Sequence, residues 1–291
     1  MDYLVTLTLA FFSRLVGWIP FRVLYVISDF VAFVLYRVLR YRRKVVEENL
    51  RRAFPEMEEK EWRKRVRASY KNLADVFVEG IKGFTMSDEE YLKRYRVTNN
   101  EILDRYRAKK QSAVFLPSHY ANWEWGTKAT PLYLGYKNVV IIYKPLSNAS
   151  ADRFFKKHRA QKGLIMGSIY ETMKLFRKYT PDFSAFVLVS DQSPPPVAKK
   201  VYWIQFLGRE TAFLRGAELF SRQYGLPVFY SECQRVKRGY YELTLSLITE
   251  NPAALPDGEV TRRYARMLEK TILKKPEDWL WSHRRWKLKK E

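Results

Sequence analysis

From Ala113 onward short apolar runs alternate with amphipathic ones, and this alternation constrains the fold more than any other feature of the chain. Ala113 to Leu116 reads as a buried strand, Trp123 to Leu134 as a helix, Val139 to Tyr143 as a strand and Ala151 to Lys162 as a helix. Further strands are predicted at Phe183 to Val189, Trp203 to Leu207, Pro227 to Gln234 and Tyr240 to Leu247, the last two joined about Lys237-Arg238-Gly239. Helices are predicted at Thr211 to Tyr224 and Glu259 to Leu273. Strands interleaved with helices specify an α/β fold, a mixed central sheet flanked by helices. The three prolines Pro194 to Pro196 lack the N–H a sheet interior needs and mark a stiff loop. Upstream, apolar residues at helical spacing (Trp62, Val66, Tyr70, Leu73, Phe77, Ile81) predict one long helix from Met57 to Phe84, and Ser87 with Glu90 forms a capping box for the next. With no internal repeat and no low-complexity linker, residues 45–291 read as one domain preceded by N-terminal helices at 1–44.

Those N-terminal residues are dense in Leu, Val, Phe, Ile and Tyr, but Arg14, Arg22 and Asp29 interrupt them. No uncharged stretch reaches the roughly 18 to 20 residues of a firm transmembrane helix. Asp2 at the extreme N-terminus and the absence of a small-x-small cleavage site fit a secretory signal poorly. Pro20 separates two short apolar helices, the second running from about Phe21 into a basic cluster at Arg37 to Lys44. Positive charge directly after an apolar segment is the pattern of a cytoplasmic membrane face, and an apolar membrane-associating segment is expected here. The competing reading buries both helices in the core, which would then have to absorb three charges.

Lys and Arg number 53 against 31 Asp and Glu, a formal net charge of +22. Such an excess attracts acidic partners, and charge alone fits an anionic membrane surface as well as nucleic acid. Cys233 is the single cysteine, so no intramolecular disulfide and no multi-cysteine zinc site can form; a strand in the core is its expected place.

Chemistry concentrates at Ser112 to Glu124, SAVFLPSHYANWE. His119 falls where a buried strand ends and a helix begins, the edge at which α/β proteins place their reactive groups. Glu124, five positions later on the first helical turn, is positioned to accept the Nδ1 hydrogen and leave Nε2 as a base for a hydroxyl or amine. A purely structural histidine is the alternative on spacing alone. The chain has no G-x-S-x-G elbow, Walker loop, G-x-G-x-x-G or H-E-x-x-H. His158 (KKHR) and His283 (SHRR) sit among cations, suited to anion contact rather than to general-base work.

Five segments, RRKVVEENLRRAFPE, HYANWE, YKPLSNASAD, SDQSPPP with FLGRETA, and KPEDWLWSHRRWK, give the chain a resemblance to the late acyltransferases of lipid A biosynthesis, within the glycerolipid-acyltransferase-like superfamily. The resemblance covers nearly the whole chain. It implies transfer of a fatty acyl group from acyl carrier protein to a hydroxyl of a lipid A precursor at the cytoplasmic face of the inner membrane, without cofactor or metal. By that similarity His119 is the general base and Glu124 its orienting partner, the family's His-x4-acid motif. Lys144, Arg153 and Arg159 in or after the third segment, and Arg209 in the fourth, are candidates to bind acceptor phosphates or the acidic carrier protein, with a solvated basic face as the plain alternative. Asp191, with Gln192, ends a buried strand and is expected to support the active-site loop. The run Trp279 to Trp286 suits an interfacial anchor or ordinary packing.

Lys144, Ala149 after Asn148 and the triple proline depart from the common pattern and leave the acceptor open. A lysophospholipid or amino-lipid acyltransferase shares the dyad, although the only FPE here, Phe54-Pro55-Glu56, precedes His119 and is followed by Met57. A basic nucleic-acid binder is supported by charge and aromatics only and leaves the apolar N-terminus unexplained. A non-catalytic membrane scaffold is a third reading.

Overall fold

The computed structural model describes residues 2–146, 148–159, 163–195 and 200–290; Pro196 of the proline run, the last residues of the helix expected to reach Lys162, and the side chain of His158 lie outside the described residues. Two helices open the chain, α1 (Asp2–Trp18) and α2 (Phe21–Phe33), with Pro20 as the α2 N-cap and a π-helical turn at Val34–Val38. α3 (Arg43–Ala53), the 25-residue α4 (Glu59–Gly83) and α5 (Asp88–Arg94) follow. The α/β part runs β1 (Tyr95–Val97), α6 (Asp104–Ala108), β2 (Ala113–Leu116), α7 (Trp123–Leu134), β3 (Asn138–Tyr143), α8 (Ala149–Arg159), β4 (Leu164–Ser168), α9 (Thr172–Tyr179) and β5 (Ser184–Leu188). It continues through β6 (Val201–Phe206), β7 (Arg209–Leu214), α10 (Gly216–Tyr224), β8 (Val228–Lys237), β9 (Tyr240–Thr249) and α11 (Glu259–Lys274).

Seven strands form one sheet in the order β1-β9-β8-β2-β5-β3-β4, parallel throughout except for the β8–β9 hairpin. β2 and β5 lie at its centre, and every residue of both is buried. Parallel central strands are covered on both faces, which is why AVFL and SAFVL read as unbroken small and apolar runs rather than alternating ones. β6 and β7 make a separate antiparallel hairpin.

That hairpin corrects the helix expected at Thr211 to Tyr224. Residues 209–214 pair with β6 from Phe206↔Arg209 to Val201↔Leu214, and the helix begins only at Gly216. The reversal falls on Leu207 and Gly208, both at positive φ (50° and 71°), the two-residue turn whose twist matches a hairpin. The three-residue β1 and the edge strand β4 were not legible in the apolar pattern. Ser87 caps α5 by accepting the Glu90 N–H at 3.2 Å, but the Glu90 carboxylate turns to Arg94 rather than closing the box.

α2 packs along α4 through a polar seam. Leu24, Ser28 and Ala32 are its buried stripe; Ser28 donates to Asp75 Oδ1 at 2.5 Å and the Tyr25 hydroxyl to Glu79 Oε1 at 2.8 Å. Asp29 pairs with Arg238 at the β8–β9 turn (2.9 Å). The Tyr25 hydroxyl fills the space a side chain at Gly239 would need, and that residue sits at φ 76°. The opposite stripe of α2, Val23, Val26, Phe30 and Phe33, is exposed, as are Phe11, Phe12, Leu15 and Trp18 on α1. The outward stripe of α2 is therefore apolar, while its buried stripe combines Leu24 and Ala32 with the hydrogen-bonded Ser28. Among the described residues no helix is long and apolar enough to cross a membrane.

Candidate active site

Sheet register builds the site. β2 and β5 are parallel neighbours with Phe115 opposite Val187. His119 lies four residues beyond Phe115 and Asp191 four beyond Val187, so the two side chains leave adjacent strand ends at the same level. His119 Nδ1 is 2.7 Å from Asp191 Oδ1, and the His119 backbone N–H donates to Oδ2 at 2.9 Å. The Trp279 indole N–H adds a third bond to Oδ2 at 2.9 Å. Burial pushes the Asp191 carboxyl upward, but the His119 charge and these hydrogen bonds outweigh it and hold the group below the usual carboxylate range. An ionised carboxylate only accepts, so Nδ1 carries the hydrogen, and in the neutral imidazole Nε2 is left with its lone pair. The Gln192 amide nitrogen lies 3.1 Å from that Nε2. The ring of Trp123 meets the imidazole at 5.5 Å in an edge-on contact.

This geometry corrects the expected His119–Glu124 pairing. Glu124 Oε2 is bound by Arg159 Nη2 at 2.5 Å, which ties the first turn of α7 to the end of α8. Spacing along the chain suggested Glu124; the strand register supplies Asp191 instead. Asp191, a candidate for the substrate-binding set as well as for support of the loop, is buried, and both its oxygens accept from protein donors. Lys144 is exposed just beyond β3, and Arg153 is exposed and donates to Ser150 Oγ at 3.1 Å. Neither is brought to the imidazole by a hydrogen bond or ion pair. Arg209 stands at the β6–β7 turn, its guanidinium 4.9 Å over the Trp286 ring, where burial and the nearby Arg52 lower its pKa. Of the candidate binding residues, Arg159 alone lines the cavity beside His119.

The loop after β2 is held from the far end of the chain. Ala121, at φ 52°, donates its N–H to Asp278 O (2.9 Å), and Leu280 N–H reaches His119 O (3.1 Å). Asn122 caps α7 by accepting the Trp125 N–H at 2.8 Å, while its amide donates to Glu79 Oε2 at 2.6 Å. Glu79 is fully buried and also accepts from Tyr25 and Tyr241, so one carboxyl group joins α2, α4, β9 and the His119 loop. Ser193 N–H donates to His283 Nε2 at 3.0 Å. Burial pushes the His283 imidazole down to about 4, so it acts as a neutral acceptor that fixes the loop rather than as an anion contact. Trp279 and His283 were missed as site residues because nothing in local spacing links positions so far apart, and Gln192, expected at the active-site loop, gave no sign of its contact with His119.

Beside His119 opens a cavity of about 190 Å³ between α7 and the sheet. His119, Trp123, Glu124, Tyr143 and Arg159 are among its polar and aromatic members, and Phe115, Leu134, Ile141, Met166, Val187 and Leu243 give it apolar walls. Trp123 and Leu134 are eleven residues apart on α7, about 16 Å along a helix axis. Cys233 also lines the cavity; burial pushes its thiol up to about 11, so it stays protonated at neutral pH. Among the described residues no three metal-ligating side chains cluster.

An imidazole oriented by a buried carboxylate, at the C-terminal edge of a mostly parallel sheet and beside a cavity with apolar walls, is the site of an α/β enzyme. The model of the bacterial lipid A biosynthesis acyltransferases matches residues 1–288, and the chain belongs to that family. It is similar to the lipid A biosynthesis lauroyltransferase of Escherichia coli (strain K12), at 24% identity over 287 residues, covering 95% of this chain and 89% of the relative. The protein is an acyltransferase of lipid A biosynthesis.

Proposed function

We propose that this acyltransferase moves a fatty acyl chain from the thioester of acyl carrier protein to a hydroxyl of a lipid A precursor, at the cytoplasmic face of the inner membrane. The observation that carries the reading is the lone pair of His119 Nε2 beside an apolar cavity that follows α7 for three turns. His119 takes the hydroxyl proton as the oxygen attacks the thioester carbonyl, and the C=O electron pair moves onto oxygen. Collapse of that intermediate breaks the C–S bond, and the imidazolium returns the proton to the departing thiolate. Asp191 stabilises the imidazolium, which makes the carboxylate partner Asp191 rather than the Glu of the His-x4-Glu motif; Glu124 holds Arg159 at the cavity. Transfer is direct: Cys233, the thiol in the cavity, is held protonated and is a poor nucleophile.

Membrane association is supported by the outward apolar stripes of α1 and α2, which a soluble surface would leave as a large unpartnered patch. The basic cluster Arg37 to Lys44 follows directly and suits anionic headgroups. The same net charge of +22 favours an acidic carrier protein and a phosphorylated acceptor. The test is the lipid A mass profile of a strain lacking this protein, complemented with wild type or with His119→Ala. Loss of one secondary acyl chain restored by wild type alone is the expected result; an unchanged profile rejects lipid A as the acceptor.

A further inference from the structure

We propose that Gln192 is a catalytic residue: its side-chain amide leaves His119 Nε2 when the acceptor hydroxyl arrives and donates to the oxyanion that forms on the thioester carbonyl. The inference rests on the reaction proposed above and adds the group that receives its developing negative charge.

The argument begins with the Nε2 lone pair. Asp191 takes the Nδ1 hydrogen at 2.7 Å, so in the neutral imidazole that acts as the base Nε2 can only accept, and the Gln192 group 3.1 Å away is then the N–H end of the amide. One lone pair holds one strong donor. An acceptor hydroxyl delivering its proton to Nε2 at normal hydrogen-bond distance therefore displaces the Gln192 N–H. The side chain is only half-buried and has three rotatable bonds, so the displaced amide stays within a few ångströms of the reacting oxygen.

Something at this site must also bind the oxyanion, since preorganised donors there are a large part of acyl-transfer catalysis. Several backbone donors nearby are already taken. The N–H groups of His119, Ala121 and Ser193 are committed to Asp191, the Asp278 carbonyl and His283 respectively. Pro194 and Pro195 have none. The Gln192 amide is the donor on this loop whose present acceptor disappears on substrate binding, and the carbonyl oxygen is the new acceptor created at that moment. His283 and Asp191 on either side fix the stem of the residue while the amide moves.

The balance of the step is simple. The hydroxyl proton goes to His119 Nε2, the new C–O bond forms, and the C=O pair becomes an oxyanion that accepts from Gln192. When the C–S bond breaks the pair returns to the carbonyl, the proton goes to sulfur, and the amide swings back to Nε2.

The experiment measures transfer from lauroyl acyl carrier protein to a purified lipid A precursor by the full-length protein in mixed vesicles, with His119→Ala as the inactive reference. Gln192→Met, which keeps the volume and removes the donor, is expected to lower kcat by roughly 10² to 10³. KM and melting temperature are expected to stay near wild type. Gln192→Ala is the companion variant, and whichever of the two folds decides the question. A kcat at or above wild type would mean the amide merely plugs the resting base, and a loss confined to KM would mean a ground-state contact; either overturns the proposal. If wild type transfers no more than His119→Ala, the reaction itself is misassigned and the proposal falls with it.

Discussion

Asp191 receives two hydrogen bonds from a single residue, one from the His119 ring at 2.7 Å and one from the His119 backbone at 2.9 Å. The carboxylate thus fixes both the tautomer of the imidazole and the path of the loop that carries it. Asp191→Asn, close in shape, is expected to lower kcat by roughly 10² to 10⁴, because an amide can favour the wrong tautomer and cannot stabilise the imidazolium. Glu124→Gln leaves the Nδ1 partner in place and is expected to cost less. Steady-state rates of the two purified variants, with melting curves, check this; a larger loss at Glu124 would return the partner role to that residue.

The cavity under α7 makes a separate prediction about the donor. Leu134, buried at the C-terminal end of that helix, stands about three turns from Trp123 beside the base. Leu134→Trp shortens the apolar space without touching His119. The ratio of kcat/KM for lauroyl over octanoyl acyl carrier protein is expected to fall by about tenfold or more, the scale of methylene discrimination in apolar pockets. An unchanged ratio would place the acyl chain elsewhere.

His283 ties acid stability to the active-site loop. Its folded pKa is depressed from 6.5 to about 4 by burial, with Asp191 opposing and the charges of His119, Arg285 and Lys287 adding to the shift. Between these values the unfolded chain binds the proton and the folded one does not, so stability falls as pH drops from about 6.5 to about 4 and levels off below. His283→Gln, which offers an uncharged acceptor to Ser193, is expected to flatten that slope. Urea unfolding midpoints across this range decide it, and parallel slopes for the two proteins would assign the titration to another group.

The outward stripe of α2 predicts membrane behaviour. Val26 and Phe30 are 70% and 66% exposed, so replacing both by Asp removes no core contact. Flotation with vesicles containing anionic phospholipid is expected to drop severalfold for Val26→Asp/Phe30→Asp while the melting temperature stays within a few degrees. Equal flotation would remove this face from the membrane-binding surface.

Much of the architecture could be read before folding. β2, α7, β3 and the β8–β9 hairpin lie where periodicity puts them, since long or fully buried elements leave a strong apolar signature. RETAFL did not, because a six-residue amphipathic strand entering a helix has the same composition as the helix's first turns; only pairing with β6 distinguishes them. His119 stood out at a strand end. Its partner did not, because a separation of 72 residues between His119 and Asp191 carries no periodic signal, whereas Glu124 was close in sequence and chemically plausible. Strand register decides that contest. Equal offsets from paired strand ends, here four residues beyond Phe115 and Val187, are a signal that becomes usable once the strand order is known.

The final stretch of the described chain has a consequence for when this enzyme becomes active. Trp279 bonds the Asp191 carboxylate that holds His119, Leu280 and Asp278 clasp the His119 loop, and His283 pins Ser193, while Asn49 of α3 holds the Trp281 and His283 carbonyls. These contacts close loops of up to 234 residues, which form late when chain entropy must be overcome first. A half-folded molecule with an intact sheet would therefore carry His119 without its orientation. Acyl-transfer turnover therefore reports completion of the entire tertiary structure.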